Sequence, residues 1–484
     1  MCYILNKKSE VRAGKGEVMT EVRIKQGHLQ GIEKDGYTIF MGVPYAAPPV
    51  GALRFCPPQE PAPWEGVYHA DHFGKTCWQE REEKGSFYDI EFYQNTDYLT
   101  DFDEDCLYLN IWVPENTAQD GLSAGNFSKE SLSAKGSPAK SPSAKKLPVA
   151  LWIHGGAFNH GFGHEMEFDG AEYAKRGVIL VTINYRVGVF GYLAHEWLSR
   201  ESAHGVSGNY GMLDQIAALK WVRENIGAFG GDAENITIFG QSAGAISVQG
   251  LVSTDLTDNY IAKAIMQSGG GYGTPLANMM TLTEAEETGK EFVQFCKAES
   301  LEELRNIEAR ELLEKQTAFC RKYPERGLIF MPVIDGFVLK ESYNSCIESG
   351  RIKRIPYMIG STLNDIATSP GQLEKGVRGL LYDGCIQFAQ MVEKLGGENG
   401  STNAIYVYDF KRQLPGDEAG AFHSAELWYM FGTYKRCWRP FMEADAGLSE
   451  KMLDAWTGFM KGGAPGGEWE SYGEEKPYVQ VFDV

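Results

Sequence analysis

The chain predicts an α/β fold built on a mostly parallel sheet, and three observations carry that expectation. Short, largely apolar runs recur at 148–153, 178–183, 235–239, 262–266, 356–360 and 404–408, each too short for a helix and apolar enough for a strand buried on both faces. Helical segments such as 213–226 stand between them, the alternation that parallel strands need for their crossovers. The third observation is Phe239-Gly240-Gln241-Ser242-Ala243-Gly244-Ala245, where a strand turns sharply into a small-residue segment able to start a helix. With 484 residues, 43% of them hydrophobic, the chain can bury one large core, so a single domain is expected over 20–484, preceded by an N-terminal extension at 1–19.

The residues before 111 read as short strands and loops. The stretch 116–146 is rich in Ser, Ala, Lys and Gly, has two Ser-Pro steps and almost no large apolar residue. It buries too little surface to offset its ordering entropy, so a flexible loop between two strands is expected there. The strand at 148–153 runs into His154-Gly155-Gly156-Ala157-Phe158, whose glycines free successive amides to point at one spot, while His154 itself reads as a packed structural histidine. The strand at 178–183 and the helix at 213–226 lead to the strand at 235–239 and the turn at Ser242. Glycines two residues before and two after that serine relieve the crowding of the tight backbone and leave its hydroxyl exposed at the C-terminal edge of the sheet. The strands at 262–266, 356–360 and 404–408 complete the pattern.

A serine so placed is a candidate nucleophile. Amides of Gly155, Gly156 and Ala243 are the candidate donors to the oxyanion of a tetrahedral intermediate. The hydroxyl is almost wholly protonated at neutral pH and needs a base. In this architecture the chain order is serine, acid, histidine, and of nine histidines only His423 follows Ser242. Two aspartates between them stand out: Asp365, in the turn after the strand at 356–360, and Asp335, in a tight Asp-Gly turn with Gly336. Asp365 is favoured.

These residues belong to a longer pattern. It opens with Phe40-Met41-Gly42-Val43-Pro44-Tyr45 and continues through Glu104-Asp105-Cys106-Leu107-Tyr108-Leu109-Asn110-Ile111, Asn184-Tyr185-Arg186, Gly208-Asn209-Tyr210-Gly211 with Asp214-Gln215, Phe229-Gly230-Gly231-Asp232, Met266-Gln267-Ser268-Gly269 and Trp456-Thr457-Gly458-Phe459. Along nearly its whole length the chain resembles the type-B carboxylesterases, the group that contains cholinesterases and bacterial para-nitrobenzyl esterases. The resemblance implies an α/β-hydrolase fold: a central, mostly parallel twisted sheet flanked by helices, with inserted loops and a reduced helical subdomain around the active-site gorge. It also implies an ester substrate and a triad whose positions match Ser242, Asp365 and His423. The family usually has glutamate where this chain has Asp365, and its span from acid to histidine is longer, so a wider mouth is expected here.

In secreted members a disulfide closes the segment matching Cys77 to Cys106, which lines the mouth of the gorge; Phe87, Tyr88, Phe92, Tyr93 and Tyr98 are therefore expected at the substrate entrance. Trp428, Tyr429, Phe431 and Tyr434 follow His423 at helical spacing and read first as core. Gln241, Phe158 and Trp428 are the expected substrate contacts. Cholinesterases carry a glutamate before the nucleophile, whose charge favours a cation; Gln241 has none, which points to a neutral, small to medium ester. Turnover through an acyl-enzyme needs no metal or organic cofactor. The rival readings are a non-catalytic cholinesterase-like binding protein and an amidase, carbamate hydrolase or thioesterase using the same residues.

The formal charge of −19 argues against nucleic acid or an anionic membrane as partner. A small-molecule ester is the partner the resemblance implies, and of the oligomeric states, which the sequence does not fix, a monomer is slightly favoured. No apolar run approaches the length that crosses a bilayer. The first five residues are too short for a signal-peptide core, and the Asn126-Phe127-Ser128 sequon then reads as incidental. Nine cysteines leave at least one unpaired, in keeping with a reducing compartment. A cytoplasmic location, with Cys77 and Cys106 as thiols, is the expectation.

Overall fold

The computed structural model describes residues 19–115, 145–274, 279–366, 368–397 and 404–484. The extension at 1–19 save Met19, the insertion at 116–146 save its last two residues, and the Asn126 sequon lie outside the described residues.

The strands run in chain order as β1 (Met19–Ile24), β2 (Gly27–Lys34), β3 (Tyr37–Pro44), β4 (Val67–His69), β5 (Thr76–Cys77), β6 (Phe102–Asp103), β7 (Tyr108–Pro114), β8 (Leu147–Ile153), β9 (Ile179–Ile183), β10 (Gly231–Gln241), β11 (Lys263–Gln267), β12 (Tyr357–Thr362), β13 (Ile405–Phe410) and β14 (Val479–Phe482). The main sheet has the order β1-β2-β3-β7-β9-β8-β10-β11-β12-β13-β14, with β4 on β2, while β5 and β6 pair separately. From β9 to β14 every pairing is parallel; the N-terminal strands β1, β2, β3 and β7 add an antiparallel flank. Each of the six predicted strands is present, and the short strands foreseen before residue 111 form that flank.

Strand β8 shows why continuous apolar runs were needed. Val149, Leu151 and Ile153 face one hydrophobic cluster and Ala150 and Trp152 the other, so neither face meets water. The first cluster is supplied by helices α1 (Tyr210–Asn225), α2 (Ala243–Ser253) and α3 (Leu380–Gly397), the second by α4 (Glu443–Gly462) and the segment after His423. The Trp152 ring sits 5.0, 4.9 and 5.0 Å from those of Phe168, Phe239 and Phe431. Helix α1 starts at Tyr210 rather than at 213, because Tyr210 and Gly211 are also buried and Gly211 lies where a Cβ would strike the Arg186 carbonyl oxygen, 2.5 Å away.

Two cross-links tie this frame together. Arg186, after β9, holds Asp214 of α1 in a bidentate pair at 2.8 and 2.7 Å, both side chains buried. Cys77 and Cys106, expected as thiols, are joined in a disulfide across 29 positions, with their Cα atoms 5.0 Å apart. The cysteine count therefore gives no support to a reducing compartment. Among the described residues, no helix is long and apolar enough to cross a membrane.

Candidate active site

Ser242 caps the β10–α2 turn with φ +57° and ψ −124°, a backbone conformation that L-residues other than glycine seldom adopt. Three contacts hold it there. The Ser242 amide donates to the Gln267 carbonyl of β11 at 2.9 Å, its own carbonyl accepts from Ile246 at 3.1 Å, and Gly244 lies so close to β8 that a Cβ would sit 2.0 Å from the Ile153 oxygen. The hydroxyl is left facing a cavity of about 200 Å³ lined also by Gln241, His423, Gly155 and Gly156.

His423 and Asp365 are brought together by the loops after β13 and β12. The Asn364 amide donates to the Ala421 carbonyl at 3.0 Å, and the Asn364 side chain accepts from the Ala421 amide at 3.0 Å. That clamp leaves His423 Nδ1 2.6 Å from Asp365 Oδ1. Asp365 is itself fixed by the amides of Thr362 and Ile366, at 3.1 and 2.8 Å. Burial pushes the Asp365 carboxyl up, but the charge of His423 and its hydrogen bond outweigh burial and leave the pKa below the ordinary value. For His423 the balance runs the other way: burial lowers it, Asp365 raises it by more, and the net pKa lies above the ordinary imidazole value. Glu426, fully buried nearby, is pushed by burial up to about 7.

Asp335, the other candidate acid, is occupied elsewhere. Its Oδ1 accepts from the amides of Phe337, Val338 and Leu339 at 2.9, 2.8 and 3.0 Å, which makes it the hub of its turn.

On the far side of His423, the imidazole Nε2 is 3.1 Å from Gln241 Nε2, and among the described residues the Ser242 hydroxyl pairs with no partner. Serine and histidine therefore share the cavity without yet sharing a hydrogen bond. Gly155 and Gly156 line the cavity, and so does Ala157, which sequence reasoning passed over. Gly156 has φ +100° and Ala157 φ +53°, and among the described residues neither amide finds an acceptor. An alanine gives no warning of a left-handed backbone, so only its place after two glycines could have signalled it. His154 is structural as expected: burial holds it down to about 3, and its ring stacks on Tyr185 at 4.3 Å.

Two expected substrate contacts need correction. Phe158 is fully buried against Tyr192, with ring centroids 5.3 Å apart, and does not line the cavity. Trp428 is likewise buried; its Nε1 donates to Glu91 at 2.9 Å and its ring backs Phe92 at 5.3 Å, so it supports the wall from behind. Of the aromatics between the disulfide cysteines, Tyr88, Phe92 and Tyr93 line the cavity, Phe87 is exposed, and Tyr98 lies beside Phe73. The remaining wall mixes Phe168, Ile366, Ser424 and Leu427 with three glutamates, Glu82, Glu165 and Glu167, and His160 lies 3.8 Å from Glu82.

The sequence matches the model of the carboxylesterase family over residues 18–373 and 369–483. It is 32% identical over 506 residues to the para-nitrobenzyl esterase of Bacillus subtilis, an alignment covering 96% of this chain and 94% of that protein. It is 36% identical over 345 residues to fumonisin B1 esterase of Sphingopyxis macrogoltabida, covering 70% of this chain and 55% of that longer protein. A solved structure of a PNB esterase superposes with a TM-score of 0.77 at 29% identity over 96% of each chain.

Proposed function

The chain belongs to the carboxylesterase family and is a serine hydrolase of carboxylic esters, and from that premise we propose that Ser242, His423 and Asp365 carry the reaction as nucleophile, base and orienting acid. His423 Nε2 takes the Ser242 proton as Oγ attacks the ester carbonyl carbon. The oxyanion is held by amides of Gly155, Gly156 and Ala243, joined by that of Ala157, which lines the same cavity. As the tetrahedral intermediate collapses, the carbon–oxygen bond to the alcohol breaks, His423 returns the proton to the leaving oxygen, and the acyl group stays on Ser242. Water, deprotonated by His423, then attacks the acyl-enzyme, and as that intermediate collapses the bond to Ser242 Oγ breaks, His423 returns the proton to Oγ and the acid leaves. Asp365 keeps Nδ1 protonated and steadies the imidazolium. Substrate entry must first move the Gln241 amide off Nε2, a rearrangement ordinary for a resting site.

The observation that carries this reading is a half-buried serine with positive φ sharing one cavity with a hydrogen-bonded His–Asp pair. Neutral esters of small to medium size suit that cavity. Ser242→Ala should abolish turnover of p-nitrophenyl acetate with the melting temperature unchanged, since little packing is lost, and an organophosphonate should add to Ser242 in peptide mapping. A folded variant that keeps most of its activity would remove Ser242 from the mechanism.

A further inference from the structure

The cavity that Ser242 faces has three carboxyls in its wall, Glu82, Glu165 and Glu167, and among its described lining residues no lysine or arginine. Glu165 and Glu167 are 7% and 2% exposed. The two stand two positions apart and line the same wall. Glu165 accepts the Phe162 amide at 2.9 Å. Glu167 is less well served: among the described residues its buried Oε2 is left unpartnered. Burial pushes both carboxyls up, and the charge of Glu165 adds to the rise at Glu167, so a cation placed beside them is what would favour their ionised forms. A buried charge with a free acceptor and no protein cation is costly unless something in the cavity meets it.

We propose that Glu165 and Glu167 form an acidic subsite of the active cavity that binds a primary ammonium group carried by the ester at a point remote from the scissile bond. This rests on the esterase reading of Ser242. An ammonium brings one positive charge and three donors, which favours the ionised glutamates and can supply the unpartnered oxygen of Glu167, whereas a hydroxyl brings one donor and no charge. Neutral esters remain substrates; the amine adds a handle. Gln241, uncharged, takes no part in this preference, and Glu82 at the rim adds charge of the same sign.

The test compares kcat/KM of the full chain for ω-aminoalkanoate p-nitrophenyl esters and ω-aminoalkyl acetates of graded length against isosteres with methyl in place of ammonium. For the best length the ammonium ester should exceed its isostere about tenfold or more, the size of one hydrogen bond to a charged group. Glu167→Gln and Glu165→Gln should collapse that ratio. Ratios near or below one in the wild type at every length, or ratios preserved in both variants, overturn the proposal. Binding gives a reading independent of turnover: calorimetry on Ser242→Ala should find hexylammonium bound about tenfold more tightly than hexanol. Equal affinities overturn the subsite even if the variants fail to fold. Failure of the esterase reading looks different, as no turnover of p-nitrophenyl acetate and no phosphonate adduct, and leaves the calorimetry to decide the subsite alone.

Discussion

His423 takes its chemistry from its neighbours, and that makes its titration a measurable consequence of the structure. Burial alone would lower its pKa, and Asp365 overrides burial. A base works only when neutral, so activity is lost as pH falls through the raised value. The acid limb of kcat/KM should therefore be centred above the ordinary imidazole pKa of about 6.5, as a pH–rate profile would show. In Asp365→Asn the imidazolium loses its counter-charge, and an NMR titration of His423 should give a lower pKa than in the wild type. The same substitution should depress kcat by about 10⁴, the scale of an imidazole left in the wrong tautomer. Asp335→Asn should change kcat little and act on stability instead, because its carboxylate serves three backbone amides. If Asp335→Asn abolishes turnover and Asp365→Asn spares it, the acid has been misassigned.

At the scale of elements, the β10–α2 turn rests on close approach. Gly244→Ala would drive a methyl into the Ile153 carbonyl, so it should lower stability by about 1–3 kcal/mol or more in denaturant titrations and displace Ser242, reducing kcat. The turn was legible in sequence because glycine, serine and the flanking strand and helix each state the same geometry. Strands β8 to β13 were legible for a related reason, since burial on both faces writes itself as an unbroken apolar run. What stayed hidden depended on direction. Phe158 follows the glycines yet turns into the core, Trp428 reads as either wall or core, and Glu165 and Glu167 look in sequence like any solvated pair of glutamates. The disulfide was half legible: the resemblance names Cys77 and Cys106 as its positions, and the thiol expectation missed it because it leaned on location rather than on the fold.

For the molecule as a whole, the Arg186–Asp214 pair ties the loop after β9 to the helix that packs on the sheet. Removing one partner strands the other in the interior, so Asp214→Ala should lower the unfolding free energy by about 3–5 kcal/mol in a urea or guanidinium titration. Arg186→Met with Asp214→Leu should recover much of that loss, since an apolar pair of similar volume leaves no buried charge. The sheet order has a consequence in time. The proposed nucleophile, acid and histidine hang from the ends of β10, β12 and β13, and Trp456 of α4 reaches back to bond Gln267 at 3.0 Å, beside the amide contact that holds the serine. A chain emerging from the ribosome therefore has its serine in place of sequence long before it has its base, and a partly finished molecule has no means of cutting anything. Turnover during refolding therefore reports that the ends of β10, β12 and β13 have all come together.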